Sequence, residues 1–340
     1  MVLDALLCAA VVGVLPGVLP GRLFTSRRTL LAIGGAAAAS SQTAFAAPAT
    51  VPLPLTGRLG AASKLSVPLR DLGVASQTGQ LHYPNWLLGS WRLHNAITGF
   101  TMPLGSAFAD GFTAYSARDD IHREVAYDYS MRFLAAPVGE DAAAEAAGFG
   151  VIQDRAYNAA EETRAFLEDD GVRVERSRYS SDRQVAPHGL IILELEEDGA
   201  EAARTTIQLE VQWCQWQLLE NGAFVTDEMI LQRLTTSGVA GQQPISEFTC
   251  IESITCFEPP RREARRGSGQ SERETVRARN RLAQYLLPSA ALDGKVPSKA
   301  ESRADRMAAL AGGRAVTFFD YDWTLTRAGS GELPLTGRPV

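Results

Sequence analysis

The chain has 340 residues, and 39 acidic against 33 basic side chains give it a formal net charge of −6 at pH 7. Its length allows one large or two small domains. An acidic chain is not attracted to polyanions, so this charge balance argues against nucleic acid as a partner.

Residues 1–46 have the composition of targeting segments. Residues 2–18 are apolar, but they are shorter and more interrupted than the roughly 20 apolar residues of a membrane span. Arg27 and Arg28 then precede a weakly apolar stretch, and residues 44–46 (Ala-Phe-Ala) form the small-x-small pattern of a cleavage site. This pattern is typical of a twin-arginine export signal.

An apolar segment in front of a twin-arginine signal predicts delivery in three steps to the thylakoid lumen of a plastid. The steps are an endoplasmic-reticulum signal, a short transit segment and the lumen signal. The alternatives for residues 2–18 are a wrongly assigned translation start or an anchor in a bacterial protein. Residues 1–46 hold one acid and three arginines, so their removal lowers the net charge by two, to −8.

The region after the cleavage site divides by composition. Residues 47–80 are rich in Pro, Gly, Ala and Ser and are predicted to form an extended N-terminus. One β-barrel domain is predicted over residues 81–327, with a charged, arginine-rich loop inserted at 258–273. Residues 328–340 are predicted to be a flexible tail.

The first predicted strand opens with Gly89-Ser90-Trp91, and Trp86 stands shortly before it. A Gly-x-Trp sequence at this place, preceded by a turn with Asn, resembles the opening of lipocalin-type barrels. In that fold the Trp side chain plugs the closed end, and the Gly lets the backbone bend sharply. Trp86, Gly89 and Trp91 are therefore candidates for closing a barrel or contacting a ligand. The simpler interpretation is that Trp91 only fills a core.

Alternation of apolar and polar residues predicts strands along most of the domain. It is clearest over residues 125–133, 207–218 and 319–325, and a change of parity near residue 213 predicts a β-bulge. The other predicted strands cover residues 88–95, 111–117, 150–155, 172–179, 190–196, 229–235, 248–257 and 275–287.

Around ten strands joined mostly by short turns predict a mainly β fold, a closed or nearly closed antiparallel barrel with one short helix. Closure removes the strand edges that a sheet of this size would otherwise expose. A two-sheet β-sandwich is the alternative. An alanine-rich piece at 298–313 could add a short helix before the last strand.

The early helix is predicted over residues 158–168, where Asn158 and Glu161 form a capping-box pattern. Asp154, Arg155 and Asn158 cluster at this strand-to-helix junction. One interpretation is structural, with Asn158 as the helix cap and Arg155 paired with Asp154 or another acid. The functional interpretation is a polar rim at the mouth of the barrel.

The mature region keeps three cysteines, Cys214, Cys250 and Cys256. Cys250 and Cys256 lie in one predicted strand and would be about 20 Å apart if it is extended, so they cannot pair with each other. Cys214 could form a disulfide with either of them, or all three could be buried free thiols. Neither these cysteines nor the four histidines stand at metal-ligand spacing, and we predict no metal and no cofactor.

Residues 316–325 match the first motif of haloacid-dehalogenase phosphatases, in which Asp320 would be the nucleophile and Asp322 the general acid. That chemistry also needs a downstream Lys and a downstream acidic pair. The 18 residues after Asp322 contain no Lys and one acid, Glu332. Both aspartates also occupy polar positions of an alternating strand, so we interpret the match as coincidental.

Several blocks, in this order, resemble an uncharacterised family of thylakoid-lumen and cyanobacterial proteins known only as a domain of unknown function. The blocks are residues 83–91, 151–158, 224–228, 251–255, 281–286 and 315–322. The resemblance covers roughly residues 80–327. It implies a lumenal, β-barrel-like protein of oxygenic phototrophs, and it supplies no catalytic residues.

These observations favour a non-catalytic lumenal protein that holds a small apolar molecule in the barrel mouth or assists a photosynthetic membrane complex. Peripheral contact with the membrane is compatible with either role, and the oligomeric state is open. The first alternative is an enzyme that uses carboxylates within the barrel, for which the candidates are Glu194, Glu196, Glu210 and Glu228. The second is a solidly packed scaffold whose outer loops make protein contacts.

Overall fold

The computed structural model of the chain describes ten stretches of it. They are residues 55–60, 80–109, 111–137, 148–167, 172–182, 188–197, 204–237, 245–263, 273–287 and 303–329. The predicted targeting segments, most of the predicted extended N-terminus, and the predicted tail from residue 330 onward lie outside these described residues. So does most of the predicted arginine-rich loop.

One antiparallel sheet makes up most of the described structure and curls into a half-barrel. Its strands in chain order are β1 Gly89–Thr101, β2 Ala126–Ala135, β3 Val151–Gln153, β4 Val172–Ser180, β5 Leu190–Glu197, β6 Arg204–Leu218, β7 Phe224–Ser237, β8 Ile245–Phe257, β9 Arg261–Glu263, β10 Arg273–Tyr285 and β11 Ala315–Arg327. Across the sheet the order is β3-β2-β1-β11-β10-β8-β7-β6-β5-β4, and β9 pairs with β10. The prediction of a mainly β, antiparallel fold is confirmed, and the bulge near residue 213 is present as a register shift between Val211 and Trp213.

The described helices are few and short. They are α1 Leu55–Leu59, α2 Gly111–His122, α3 Arg155–Leu167 and α4 Arg303–Ala311, together with a 3₁₀ turn at Asn85–Leu87. The helix predicted within residues 298–313 is confirmed as α4. No helix in the described stretches has the length and apolar character needed to cross a membrane.

The prediction of a strand at residues 111–117 is wrong, because this segment belongs to α2. Its inward positions are Ala114 and Ala117, and Ile121 packs on the same core. These positions follow helical spacing rather than alternation. Seven residues are too few to distinguish the helical period of 3.6 residues from the strand period of two.

The predicted barrel does not close, and the sheet forms a half-barrel instead. The end strands β3 and β4 do not pair with each other, so the sheet is open between them. Helix α3 lies between these strands along the chain and packs against β2, β4 and β5. With only three residues, β3 offers few backbone groups for a further ladder, and the helix covers that side of the half-barrel.

Apolar side chains pack on both faces of the sheet. The interior cluster, on the concave side, includes the largest fully buried side chains, among them Trp91, Trp323, Tyr83, Tyr321, Phe133, Phe224 and Phe257. The outer cluster covers the opposite face of β7, β8, β10 and β11 and contains Leu55 of α1, Val225, Met229, Cys250, Ile254, Tyr285 and Phe318. The central strands are therefore buried on both sides.

Candidate functional site in the half-barrel interior

Trp91 lies in the interior cluster at the start of β1. Its ring is fully buried, and its Nε1 donates a hydrogen bond of 2.7 Å to the carbonyl of Leu87 in the 3₁₀ turn. The guanidinium of Arg327, at the end of β11, lies 4.3 Å from the centroid of the Trp91 ring. The first and last strands of the sheet are thus joined through one aromatic ring.

Gly89 and Trp86 belong to the same arrangement. Arg327 donates from Nη1 to the carbonyl of Leu88 at 2.7 Å and from Nη2 to the carbonyl of Trp86 at 3.2 Å. Gly89 has a φ of 114°, and a Cβ atom there would lie 2.8 Å from Arg327 Nη1. The structure brings the three sequence candidates together at the start of β1, and it adds Arg327, which the sequence analysis missed.

A buried ion pair lies inside the half-barrel. Arg155, the first residue of α3, donates from Nη2 to Glu228 Oε1 of β7 at 2.5 Å, and each side chain is 1% exposed. Burial alone would lower the pKa of Arg155, but Glu228, Tyr83 and Tyr179 together outweigh it and raise this pKa above its ordinary value. Arg155 is therefore held as a cation opposite a buried carboxylate.

The other two junction candidates take structural positions. Asp154 lies just before α3, accepts a hydrogen bond from the backbone N–H of Tyr157 at 3.3 Å and pairs with Arg132 at 3.2 Å. The side chain of Asn158 bonds both the N–H and the carbonyl of Arg132 in β2, at 2.7 and 3.0 Å. The predicted capping role of Asn158 is wrong, because α3 begins three residues earlier and Asp154 caps it. Asn158 instead ties the helix to the sheet.

Tyr83 and Cys214 face the buried pair. Burial raises the pKa of Tyr83 well above its ordinary value, and the nearby Glu228 carboxylate raises it further, against the opposing effect of Arg155. Burial also raises the pKa of the Cys214 thiol to about 12, with Glu228 adding to the effect. Both groups therefore stay protonated at neutral pH.

Polar side chains continue across the neighbouring strands. Asn280 of β10 donates from Nδ2 to Ser253 Oγ at 3.0 Å and to Thr255 Oγ1 at 2.7 Å, both in β8. Thr226 of β7 lies opposite Thr255, and Ser253 lies opposite Glu228. On its strand each of these residues lies two positions from a member of the interior cluster, so their side chains face the same side of the sheet. We call Tyr83, Arg155, Thr226, Glu228 and Asn280 the interior polar cluster.

Several buried atoms of this cluster, and of residues next to it, have no hydrogen-bond partner within the described stretches. They are Tyr83 Oη, Gln153 Nε2, Arg155 Nε and Nη1, Thr226 Oγ1, Glu228 Oε2, Gln232 Oε1 and Asn280 Oδ1. Native proteins rarely leave such groups unpaired, since each one costs about 1–3 kcal/mol. The concentration of these atoms in one region marks it as the candidate functional site.

Of the four carboxylates proposed for an enzyme, the structure places one in the interior. Glu228 faces inward, whereas Glu194 lies on the outer side, 3.8 Å from Arg176 and 3.9 Å from Arg178. Glu196 is exposed and Glu210 is half-buried. No group of three or more His, Cys, Asp or Glu residues that could hold a metal ion occurs in the described stretches.

The predicted disulfide is not formed. Cys214, Cys250 and Cys256 are buried thiols outside any disulfide. Cys214 belongs to the interior cluster, while Cys250 and Cys256 belong to the outer cluster, so the sheet separates the predicted partners. The apparent phosphatase motif is on the outer side of β11, an antiparallel strand, where Asp320 pairs with Arg281 at 2.6 Å and Asp322 is exposed.

Comparison with known proteins gives one family. The family model described as Domain of unknown function (DUF6816) matches residues 75–327. No match was found among curated proteins or among solved structures. The matched range contains the whole sheet, both ends of the Trp91–Arg327 contact and the interior polar cluster.

Proposed function

The chain belongs to the DUF6816 family, a domain of unknown function, and from this premise we propose that its half-barrel binds a small, largely apolar molecule carrying a polar group. The observation that carries the proposal is the set of buried, unpaired polar atoms around the Arg155–Glu228 pair. No catalytic step is part of the proposal.

The chemistry of the site restricts the ligand. The unpaired atoms of Arg155 are donors, whereas Glu228 Oε2 and Asn280 Oδ1 are acceptors. Around them the interior is lined by aromatic and aliphatic side chains of the interior cluster. A ligand with one carboxyl, carbonyl or hydroxyl group and an apolar body matches both kinds of surface. Because Glu228 already balances the charge of Arg155, a neutral polar group fits better than a second anion.

We propose further that the half-barrel is lipocalin-like. The Gly89–Trp91 opening supports this, because the glycine takes a positive φ and the buried tryptophan bonds the Leu87 carbonyl in the turn before β1; in this proposal Trp91 closes that end. The open edge between β3 and β4, covered by α3, is a departure from a closed barrel. In this proposal, access to the interior is expected along that side or at the end opposite Trp91.

The place of action that we propose is the thylakoid lumen, with the mature protein beginning after residue 46. This part rests on the sequence of residues 1–46 alone, and the internal ligand does not depend on it. In the same compartment the protein could assist a photosynthetic membrane complex through its outer face. The proposed location is tested by fractionation of cells that express the protein with a C-terminal tag. An unprocessed protein in the stroma or cytosol would contradict it.

A binding assay tests the proposed function directly. We would incubate the purified protein with a total lipid and pigment extract of a photosynthetic organism, repurify it, and identify bound molecules by mass spectrometry after denaturation. The expected result is one molecular class at close to one molecule per protein, with a raised melting temperature. The absence of any bound molecule, together with ordered waters on the unpaired atoms in a crystal structure, would overturn the proposal.

A matched pair of variants tests whether the ligand binds at the interior polar cluster. Thr226→Val removes one buried hydroxyl without changing the shape of the side chain, and we expect it to weaken retention of the ligand. Thr206→Val makes the same change on a half-buried position of the outer side of β6 and should leave retention unchanged. Equal retention by both variants would place the ligand elsewhere.

A further inference from the structure

A second charged cluster lies on the opposite face of the sheet. Asp227 of β7 and Glu252 of β8 are both 0% exposed, and the only cation in direct contact with them in the described stretches is Arg58 of α1. The Arg58 side chain is itself 12% exposed. Two buried carboxylates thus meet one guanidinium.

Hydrogen bonds and ion pairs fix the positions of the two acids and of the guanidinium. Arg58 donates to Glu252 Oε1 from both Nε, at 2.9 Å, and Nη2, and its Nε lies 3.5 Å from Asp227 Oδ2. Tyr285 of β10 donates its hydroxyl to Glu252 Oε2, and Gln215 of β6 donates to Asp227 Oδ2 at 3.1 Å. Four different elements therefore surround the guanidinium and its two acids.

The charge balance requires a proton. One guanidinium neutralises one carboxylate, and a second buried carboxylate beside it is stable only when protonated. Accordingly, burial raises the pKa of Asp227 well above its ordinary value and Glu252 raises it further, while Arg58 and Gln215 act in the opposite direction. Asp227 Oδ1 has no hydrogen-bond partner in the described stretches.

Helix α1 is held by the ion pairs of Arg58 and the burial of Leu55, and Leu59 packs partly buried on the same outer cluster. Helix α1 has five residues, which is far too short for stability on its own. It contacts β7 and β8, and it inserts Leu55 into the outer cluster three residues before Arg58. A segment with so few contacts belongs to the part of a fold that opens most easily.

We propose that the outer face of β7 and β8 is a binding site for a guanidinium group presented by a short Leu-x-x-Arg helix. Helix α1 is its intramolecular occupant, and binding takes up one proton on the Asp227–Glu252 pair. When α1 leaves, both acids face solvent and the site is open to another arginine-bearing segment. A cleft of about 450 Å³ beside α1, lined by Thr56, Leu59, Cys256, Glu258 and Arg279 among others, continues the surface past the helix.

The direction of the pH dependence follows from the protons bound in the two states. With α1 docked, burial raises the pKa of Asp227 well above its ordinary value of 3.8; release of α1 lets water reach the carboxyl and lowers this pKa toward the ordinary value. Docking therefore strengthens as the pH falls through the raised pKa and gains nothing further below the ordinary one. The other titratable groups facing the pair are Arg58, Tyr285 and Cys250, and the last two stay protonated because burial raises the pKa of each. Cys214, behind the sheet, also stays protonated.

A peptide assay on the full chain tests the site. The double variant Leu55→Ala, Arg58→Ala removes both anchors of α1, and a labelled peptide of residues 51–62 is added to it. We expect saturable binding by fluorescence anisotropy, with an affinity that rises by up to about tenfold for each pH unit lowered within the titration window. The same peptide carrying Arg58→Gln should not bind, and adding Asp227→Asn to the protein should leave binding without its pH dependence.

Equal binding of the two peptides, or no binding between pH 5 and 8, would overturn the proposal. Should the double variant fail to fold, hydrogen exchange of the unmodified chain gives the same information. The amide of Gly60, which donates to the carbonyl of Thr56 at 3.3 Å, reports on α1. Its protection, corrected for the intrinsic exchange rate, should increase as the pH falls; protection that does not change with pH would contradict proton-linked docking.

Discussion

Arg327 stacks on Trp91 at 4.3 Å while its two terminal nitrogens donate to backbone carbonyls just before β1. The two residues are also register partners in the β1–β11 ladder, 236 positions apart along the chain. The last residue of the last strand therefore fixes the turn that precedes the first strand.

The first prediction concerns Arg327 itself. Arg327→Ala removes a cation–π contact and the donors to two carbonyls, and we expect the free energy of unfolding to fall by about 1–3 kcal/mol. Arg327→Lys keeps the charge but not the planar fork, so it should recover only part of the loss. Urea unfolding measures both. Arg123→Ala, at an exposed helical pair with Asp119, is the control and should change stability by less than about 0.5 kcal/mol.

The second prediction separates strain from collision at Gly89. Gly89→Ala forces a side chain into a positive φ and places its Cβ 2.8 Å from Arg327 Nη1. Gly105 has a similarly positive φ, 90°, but nothing lies within 4 Å of its Cβ position. Gly105→Ala should therefore cost about 1–2 kcal/mol from the backbone alone, and Gly89→Ala clearly more. Equal losses in thermal unfolding would show that Arg327 moves aside freely.

The third prediction concerns the buried pair in the interior. Glu228→Gln leaves the guanidinium of Arg155 buried without a counter-charge and should lower the free energy of unfolding by about 3–5 kcal/mol. The double variant Arg155→Met, Glu228→Gln removes both charges and should be less destabilised than Glu228→Gln alone. A double-mutant cycle that shows simple additivity would contradict this. The exposed pair Arg164–Glu161 is the control, and its disruption should cost little.

The fourth prediction is a change in pH dependence. Because the folded-state pKa of Asp227 is raised above its ordinary 3.8, its contribution to stability is fully present below 3.8 and is lost as the pH rises through the folded-state pKa. Asp227→Asn mimics the protonated form. We expect the variant to equal the unmodified protein at low pH and to exceed it at higher pH, with the difference growing by up to about 1.4 kcal/mol per pH unit inside the window. Denaturant unfolding at a series of pH values measures it, and a parallel shift at all pH values would contradict it.

The fifth prediction concerns the thiols. Burial raises the pKa values of Cys214 and Cys250 to about 12, and that of Cys256 is raised as well. These thiols are therefore protonated at neutral pH and should not react with a disulfide reagent in the folded protein. After unfolding in urea without reductant, all three should react. Fewer reactive thiols would reveal a disulfide.

The sequence could predict what depends on neighbouring residues. Alternation located β2, β6 and β11, and the change of parity located the bulge near residue 213. The same reasoning failed over residues 111–117, where a helix with small buried residues looks like a strand. It also predicted a closed or nearly closed barrel rather than a half-barrel, because nothing in the sequence of residues 151–153 reveals that β3 ends after three residues and leaves the edge to α3.

The ion pairs of the candidate sites could not be predicted from the sequence in this way. The sequence marked Arg155 and Glu228 separately, but their contact joins residues 73 positions apart, and the contact of Arg58 with Glu252 joins residues 194 apart. Spacing along the chain carries no information on such pairs. The weak signal available was a pair of consecutive acids, Asp227 and Glu228, directly before the strand predicted at 229–235; the observed strand includes both, and alternation places them on opposite faces.

That adjacency fixes the alignment of the central strand. Successive side chains of β7 send one carboxylate to Arg58 outside the half-barrel and the next to Arg155 inside it. Sliding β7 by a single residue would exchange the two faces, turning each acid away from its arginine and its apolar neighbours toward the wrong side. One inserted or deleted residue within β7 would thus disconnect both arginines at once, so this strand cannot change its length without losing both ion pairs.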